Sequence, residues 1–232
     1  MNMNTNIRRV KRLFLEILDL IRFPGMSRRS YSQEGEDLIL DRVFDQDTSG
    51  FYIDIGAHHP VRFSNTYLFY KRHWRGVCID PSHDAIVQFK KIRPNDIALE
   101  LGVSDQESEL TYYMFDEPAL NTFSETLAYQ REQQTSYKRI GTRVVAVRPL
   151  NKILDEVLLP GTEIDFMTID VEGLDYQVLE SNDWSKYRPR IVLAEALDDG
   201  SGERIRAFMI HNNYKVIART FNTEFYQDCA KL

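Results

Sequence analysis

The chain has 232 residues, enough for one large α/β domain or two small ones, and its content of 43% hydrophobic and 12% aromatic residues suits a packed core. The net charge of −6 argues against wholesale nucleic-acid binding, and two cysteines, Cys78 and Cys229, are too few for a disulfide scaffold. No apolar run approaches the ~20 residues that a membrane-spanning helix needs. The N-terminus also lacks the features of a signal peptide, so we expect a cytoplasmic protein without a transmembrane segment.

The first 30 residues are basic, with seven Lys or Arg against two Asp or Glu. Apolar residues recur at helical spacing over residues 7–22 and Pro24-Gly25 ends the pattern, which predicts an amphipathic helix and linker over residues 1–29. A basic amphipathic helix can lie on an anionic membrane surface. Because most apolar stripes pack against protein, we expect this helix to contact its own domain or to form a homodimer. Residues 30–232 form the main domain.

Polar residues open that domain, since Ser32 is followed by Gln33, Glu34, Gly35 and Glu36. The pattern is typical of a helix start, with apolar residues from Leu38 onward as the buried side. Gln33 and Glu36 are either capping and surface residues or a cover over a ligand bound at the next turn.

That turn follows the run Phe51 to Ile55, which is apolar apart from Asp54 and predicts a short buried strand. Gly56 permits a positive φ and a close approach of a ligand to the backbone of Gly56 and Ala57. In an open parallel sheet, ligands bind outside the carboxyl ends of the strands. The alternative is an ordinary core strand that ends in a turn.

A second buried strand over residues 76–80 ends in Asp80, roughly 20 residues beyond the glycine turn. An acid at this place can hold a ribose diol with two acceptor oxygens. The turn lacks G-x-G-x-x-G, so a cofactor with a ribose but no pyrophosphate fits better than NAD or FAD. After a third strand over residues 97–103, Ser104 and Asp105 either contact the exocyclic amine of a base or form a turn.

The remaining pattern alternates between strands and helices, with a polar loop over residues 116–141 that contains Asn121 and a short helix near residues 127–133. This alternation predicts a mostly parallel sheet with helices on both faces. The predicted strands span residues 109–115, 143–147, 164–169, 190–194, 214–218 and 224–226, and the helices residues 65–72, 84–91, 150–158, 174–179 and 204–212.

Five acids follow or end predicted strands, and we expect them to converge on one edge of the sheet: Asp54, Asp80, Asp170, Glu172 and Glu195. Each could instead cap a helix or pair with an arginine. Asp170 and Glu195 could also bind a divalent ion, although two acids alone do not define a metal site.

Several motifs, in order and spacing, resemble the FkbM-type methyltransferase family over about residues 30–200. They are Ser32-Gln33-x-Gly35-Glu36-Asp37, Phe51-x-Ile53-Asp54-Ile55-Gly56-Ala57-His58, Arg62-x-Ser64-Asn65-Thr66, Trp74-x-Gly76, Ile79-Asp80 and Ile169-Asp170-Val171-Glu172-Gly173. The resemblance implies a Rossmann-like class I fold. It also implies transfer of a methyl group from S-adenosylmethionine to a hydroxyl of a sugar, glycan or natural product.

The site residues that we predict fall into three groups. The catalytic candidates are Asp170, Glu172 and His58, because a carboxylate or imidazole can remove the proton of the attacking hydroxyl. The predicted cofactor-binding residues are Gln33, Glu36, Asp54, Gly56, Ala57, Asp80, Ser104, Asp105 and Asp170. The predicted acceptor-binding residues are His59, Asn65, Asn121 and Glu195.

Two other functional classes fit parts of the pattern. A hydride-transfer enzyme could use the same fold, but the absence of G-x-G-x-x-G counts against it. A methyltransferase-like domain without turnover could serve in binding or assembly, and a methyl-transfer assay distinguishes it from an enzyme.

Overall fold

The computed structural model describes Arg22, residues 28–196 and residues 200–231. The chain divides into two compact units, Met1–Ser30 and Tyr31–Leu232. The amphipathic helix predicted over residues 7–22 lies outside the described residues except for Arg22, so its part in a homodimer stays a prediction. Within the described residues, no helix has the length and apolar character needed to cross a bilayer.

The second unit is built from ten strands and seven α-helices within the described residues. The strands are β1 (Phe51–Ile55), β2 (Arg75–Asp80), β3 (Ile97–Glu100), β4 (Gly102–Val103), β5 (Ser108–Phe115), β6 (Arg139–Arg148), β7 (Phe166–Ile169), β8 (Ile191–Glu195), β9 (Tyr214–Arg219) and β10 (Thr223–Asp228). The helices are α1 (Glu36–Val43), α2 (Tyr67–Tyr70), α3 (His83–Ile92), α4 (Glu125–Gln134), α5 (Leu150–Val157), α6 (Asp175–Glu180) and α7 (Ser201–His211).

The main sheet has the strand order β3-β2-β1-β7-β8-β10-β9. The first five strands in this order, which end with β8, pair in parallel, whereas β10 is antiparallel to both of its neighbours. Successive side chains of a strand point to opposite faces of the sheet, so the apolar strands contribute side chains to two hydrophobic cores. Ile53 and Ile55 pack with α5, α6 and α7 on one face, and Tyr52 and Phe166 pack with α1, α2 and α3 on the other. The predicted α/β fold is confirmed.

One predicted strand differs from the structure because of tertiary pairing. The third strand, predicted over residues 97–103, divides at Leu101. Its first part, β3, extends the main sheet, whereas β4 pairs with β6 in a separate sheet of order β4-β6-β5. The pairing of β4 with β6 joins segments that are distant in sequence, so the local pattern could not show this division.

The short helix predicted near residues 127–133 is present as α4, whose first turn is capped when Ser124 Oγ accepts from Leu127 N. The polar loop before it also contains a 3₁₀ turn (Pro118–Leu120).

The first helix also begins later than the sequence indicates. It starts at Glu36, after Gly35 at a φ of 89°. Ser32 is not the N-cap residue, but its Oγ accepts from Asp37 N at 3.3 Å and donates to Asp37 Oδ1 at 2.9 Å, which folds the preceding segment against the helix start.

A buried arginine holds the first half of the sheet together. Arg93, which follows α3, is 0% exposed. Its guanidinium donates to Asp96 Oδ2 at 2.7 Å, Tyr52 Oη at 2.8 Å and Thr66 Oγ1 at 3.0 Å. Thr66 Oγ1 donates in turn to Asp54 Oδ2 at 2.5 Å. Asp54 therefore belongs to a structural network, and burial raises the pKa of its carboxyl group.

Replacing Arg93 tests this network. We expect Arg93→Ala to lower the free energy of unfolding by about 3–5 kcal/mol, because it leaves Asp96 buried without its cationic partner. Urea denaturation measures the change, and Lys91→Ala, at an exposed position of α3, is the matched control. Equal losses in the two variants would contradict a structural role for the buried charge.

Candidate active site

Two adjoining cavities open at the carboxyl edge of the main sheet. The first encloses about 650 Å³, part of it open to solvent, and lies against the ends of β1, β2 and β7. The second encloses about 500 Å³ and lies against the ends of β7 and β8. Four residues line both cavities: Gln33, Phe63, Asp170 and Glu172. Because the five strands β3, β2, β1, β7 and β8 run in parallel, their polar carboxyl ends meet at this edge of the main sheet.

The turn after β1 is fixed by a close backbone contact. Gly56 has a φ of 79°, and a Cβ at this residue would lie 1.7 Å from the carbonyl oxygen of Asp170. Gly56 N and Ala57 N donate to the Ile79 carbonyl at 2.9 and 3.1 Å, and Asp170 N donates to the Ile55 carbonyl at 3.0 Å. The turn is thus tied to β2 and β7, and its first two amides are already occupied.

Asp80 ends β2 in the wall of the first cavity. Its Oδ2 accepts from His58 N at 2.8 Å and its Oδ1 from Ser82 N at 2.7 Å. Burial raises the pKa of Asp80 to about 6, although the two amide bonds oppose the shift. Each oxygen retains a further lone pair, so the carboxylate can accept hydrogen bonds from a ligand without moving.

The turn after β7 is shaped by Asp175 and by the segment between β5 and β6. Asp175 accepts from Val171 N at 3.1 Å and from Gly173 N at 3.2 Å. Glu172 lies between them at a φ of 55°, an uncommon conformation for a residue with a side chain. Its carboxylate pairs with Arg131 of α4, and its carbonyl accepts from Thr122 Oγ1 at 2.7 Å. These contacts offset the cost of the positive φ.

Two carboxyl groups at this edge make no hydrogen bond through their side chains within the described part of the chain: Asp170 and Glu195. Asp170 reaches solvent through the cavities, yet many protein atoms surround it. Burial, followed by the charge of Glu172, raises its pKa well above the usual range. Burial and the charges of Asp170, Asp175 and Glu172 raise the pKa of Glu195 to about 10.

The two histidines after Gly56 differ in position. The ring of His58 lines the first cavity, and its Nε2 is buried with no hydrogen-bond partner among the described residues. Burial, with smaller effects from Arg62 and His59, lowers the pKa of His58 to about 4, so the ring is neutral. His59 Nδ1 accepts from Val61 N and Arg62 N at 3.0 and 2.9 Å. His59 holds this turn and lines neither of the two cavities.

The two predicted asparagines lie in different cavities. Asn65 lines the second cavity, where its Nδ2 donates to Thr168 Oγ1 at 3.0 Å. Asn121 lines the first cavity and accepts from Phe115 N at 2.8 Å.

The remaining predicted residues divide between the cavities and the surrounding structure. Glu36 lines the second cavity and not the first. Ser104 Oγ donates to Asp105 Oδ1 at 3.1 Å, and both residues lie outside the two cavities, as do Asp54 and Ala57. The wall beyond β3 is formed instead by residues 101–103. Asp80, Asp170, Glu172 and Glu195 converge at this edge, whereas Asp54 faces the Arg93 network.

Sequence reasoning missed Arg131 and Thr122, which hold the Glu172 turn, and Asn222, which lines the second cavity. The helix that carries Arg131 was predicted, but the contact of Arg131 with Glu172 joins residues that are distant in sequence and has no local sign. Among the described residues, no group of three or more His, Cys, Asp and Glu side chains could hold a metal ion, so the geometry adds no support for a divalent ion at Asp170 and Glu195.

The strand order, the antiparallel β10 and the cavity at the ends of β1 and β2 define a Rossmann-like methyltransferase fold. A family model for the methyltransferase FkbM domain matches residues 54–216, and the chain belongs to this family. The family predicted from the motifs is therefore confirmed. A comparison with curated proteins finds no match.

The contact at Gly56 can be tested against a glycine with the same backbone angle. Gly56→Ala should cost more than the roughly 1–2 kcal/mol of a positive φ, because the new Cβ meets the Asp170 carbonyl. Gly161→Ala is the matched control, since Gly161 has a φ of 81° and nothing within 4 Å of the added Cβ. Thermal unfolding compares the two variants. Equal shifts in Tm would show that the close approach is dispensable.

Proposed function

We propose that this methyltransferase uses S-adenosylmethionine and transfers the methyl group to a hydroxyl of a sugar, glycan or natural product. The observation that carries the proposal is Asp80, a fixed carboxylate in a cavity bounded by the glycine turn.

The residues of the first cavity fit this cofactor. Asp80 would accept hydrogen bonds from the ribose diol. Leu101, Val103 and Phe123 give the wall beyond β3 an apolar surface suited to a base. Asp170, at the opposite end, suits the amine of the methionine part. Because Gly56 has no side chain, the turn packs directly against the Asp170 carbonyl at the edge of the cavity.

When bound, the cofactor supplies a methyl group that is already activated by a sulfonium charge. The chain then has to hold the acceptor hydroxyl in line with it, and proximity supplies much of the rate. Asp170 lies where the two cavities meet and has no side-chain partner among the described residues, so it is the residue best placed to orient the hydroxyl. A cation beside Asp170 favours its ionised form, which can accept the hydroxyl proton.

Glu172 has a different part in this proposal. Its carboxylate is already paired with Arg131, and the pair fixes the turn that presents Asp170. We therefore assign Glu172 to positioning and Asp170 to proton transfer. His58, neutral and lining the first cavity, is the next candidate for the base.

The cofactor assignment predicts that Asp80→Asn weakens binding of S-adenosylhomocysteine by about 1.5–3 kcal/mol, because one charged acceptor of the diol is lost. Isothermal titration calorimetry measures this directly. Asp105→Asn is the control, since this exposed acid lies outside the first cavity. Unchanged affinity in Asp80→Asn would remove the main support for a ribose at this site.

The catalytic assignment predicts that Asp170→Asn lowers kcat by about 10²–10⁴-fold, the usual effect of removing a general base. Transfer of labelled methyl from S-adenosylmethionine to a panel of sugar and glycolipid acceptors supplies the assay. Glu172→Gln should instead destabilise the fold and raise KM more than it lowers kcat. If Asp170→Asn strongly weakens cofactor binding but turns over normally at saturating cofactor, Asp170 is a cofactor ligand and His58 should be examined as the base.

A further inference from the structure

The second cavity shares Asp170 and Glu172 with the first, so a molecule bound in it would lie beside the proposed cofactor. Its remaining lining is polar, apart from Phe63 and Ile169. The amide and hydroxyl residues are Gln33, Asn65, Thr168, Asn222 and Thr223. Such groups can both donate to and accept from the hydroxyl groups of a polyol. The place and the chemistry of this cavity therefore suit a hydroxylated acceptor.

The charges of the lining are all of one sign. The carboxyl groups that line the second cavity are those of Glu34, Glu36, Asp170, Glu172 and Glu195. Among the described residues, no Lys, Arg or His lines it. Arg131 pairs with Glu172, and its charge also opposes the rise in the pKa of Glu195, but burial and the neighbouring carboxyl groups outweigh it there. Glu34 accepts from Asn222 N and Nδ2, each at 3.0 Å, which satisfies its oxygens without neutralising its charge. An anionic acceptor would meet uncompensated negative charge here.

Glu36 and Glu195 are the carboxyl groups of the second cavity that a bound cation would stabilise most. Glu36 is only 4% exposed, and its Oε2 accepts from Glu34 N at 2.8 Å. Its Oε1 makes no hydrogen bond within the described part of the chain. Glu195 is likewise without a side-chain partner there, and its pKa is raised by burial and by neighbouring carboxyl groups. A buried carboxylate without a cationic partner is costly, and an ammonium group relieves that cost.

We propose that the second cavity is the acceptor site and that it selects a hydroxylated amine, such as an amino sugar, over neutral and anionic sugars. This inference rests on the proposed function, because it names the acceptor of that transfer. Glu34, Glu36, Asn222 and Thr223 lie outside the residues 54–216 that match the family. Two of the five carboxyl groups of the second cavity therefore lie in parts of the chain that the family match does not cover.

The test uses the full chain with the cofactor product in place. Calorimetry first establishes binding of S-adenosylhomocysteine. Methyl glycosides of glucosamine, glucose and glucuronic acid are then titrated and followed by ligand-observed NMR. We expect the glucosamine glycoside to bind about 10–100-fold more tightly than the glucose glycoside, as one charge-assisted contact would give. The glucuronic acid glycoside should bind most weakly.

Glu195→Gln should remove most of this preference while leaving the affinity for S-adenosylhomocysteine unchanged. Glu180→Gln, at an exposed position of α6, is the matched control and should bind all probes like the parent chain. Equal binding of the amine and neutral glycosides, tightest binding of the anionic one, or no binding of any of them would overturn the inference. Failure of S-adenosylhomocysteine to bind would instead contradict the proposed function.

Discussion

The contact between the backbones of Gly56 and Asp170 is the constraint on which the rest of the site depends. It places the turn after β1 directly against the end of β7, at a separation that no side chain on residue 56 permits. Both cavities meet at Asp170, so their relative position follows from this contact. The parallel pairing of β1 with β7 brings the two turns together, and the glycine removes the last obstacle between them.

A second constraint comes from outside the main sheet. The segment that joins β5 to β6 supplies Arg131 and Thr122, and both contact Glu172. One contact satisfies a charge and the other satisfies a backbone carbonyl, so together they hold a residue at a positive φ. Without Arg131, the neighbouring carboxyl groups of Asp170, Glu172 and Glu195 would have no cation to compensate them among the described residues. Arrangements of this kind, in which burial and like charge displace pKa values, are typical of functional sites.

The order of strands and helices was predictable because each strand carries an apolar run with a polar end. Asp80 and Glu195 could be assigned to the sheet edge for the same reason. Asp54 could not, because the pattern shows that an acid interrupts a strand but not which face it occupies. Arg93, which is linked to Asp54 through Thr66, lies 39 residues away in sequence, just beyond the helix predicted over residues 84–91. Ser104 and His59 make hydrogen bonds within local turns instead of lining a cavity. A polar residue at a turn looks the same in sequence whether it bonds to the turn or to a ligand, so the sequence could not distinguish these roles.

The three-stranded sheet has a consequence for how the first cavity could change between related enzymes. Gly102 and Val103 pair with Val147 and Arg148, so the chain leaves and rejoins the main domain at adjacent points. A segment whose two ends meet can be exchanged for another with little loss of loop-closure entropy. Residues 104–146 can therefore be replaced as one segment while the main sheet keeps its register. This segment supplies part of the lining of the first cavity and the contacts of Thr122 and Arg131 with Glu172.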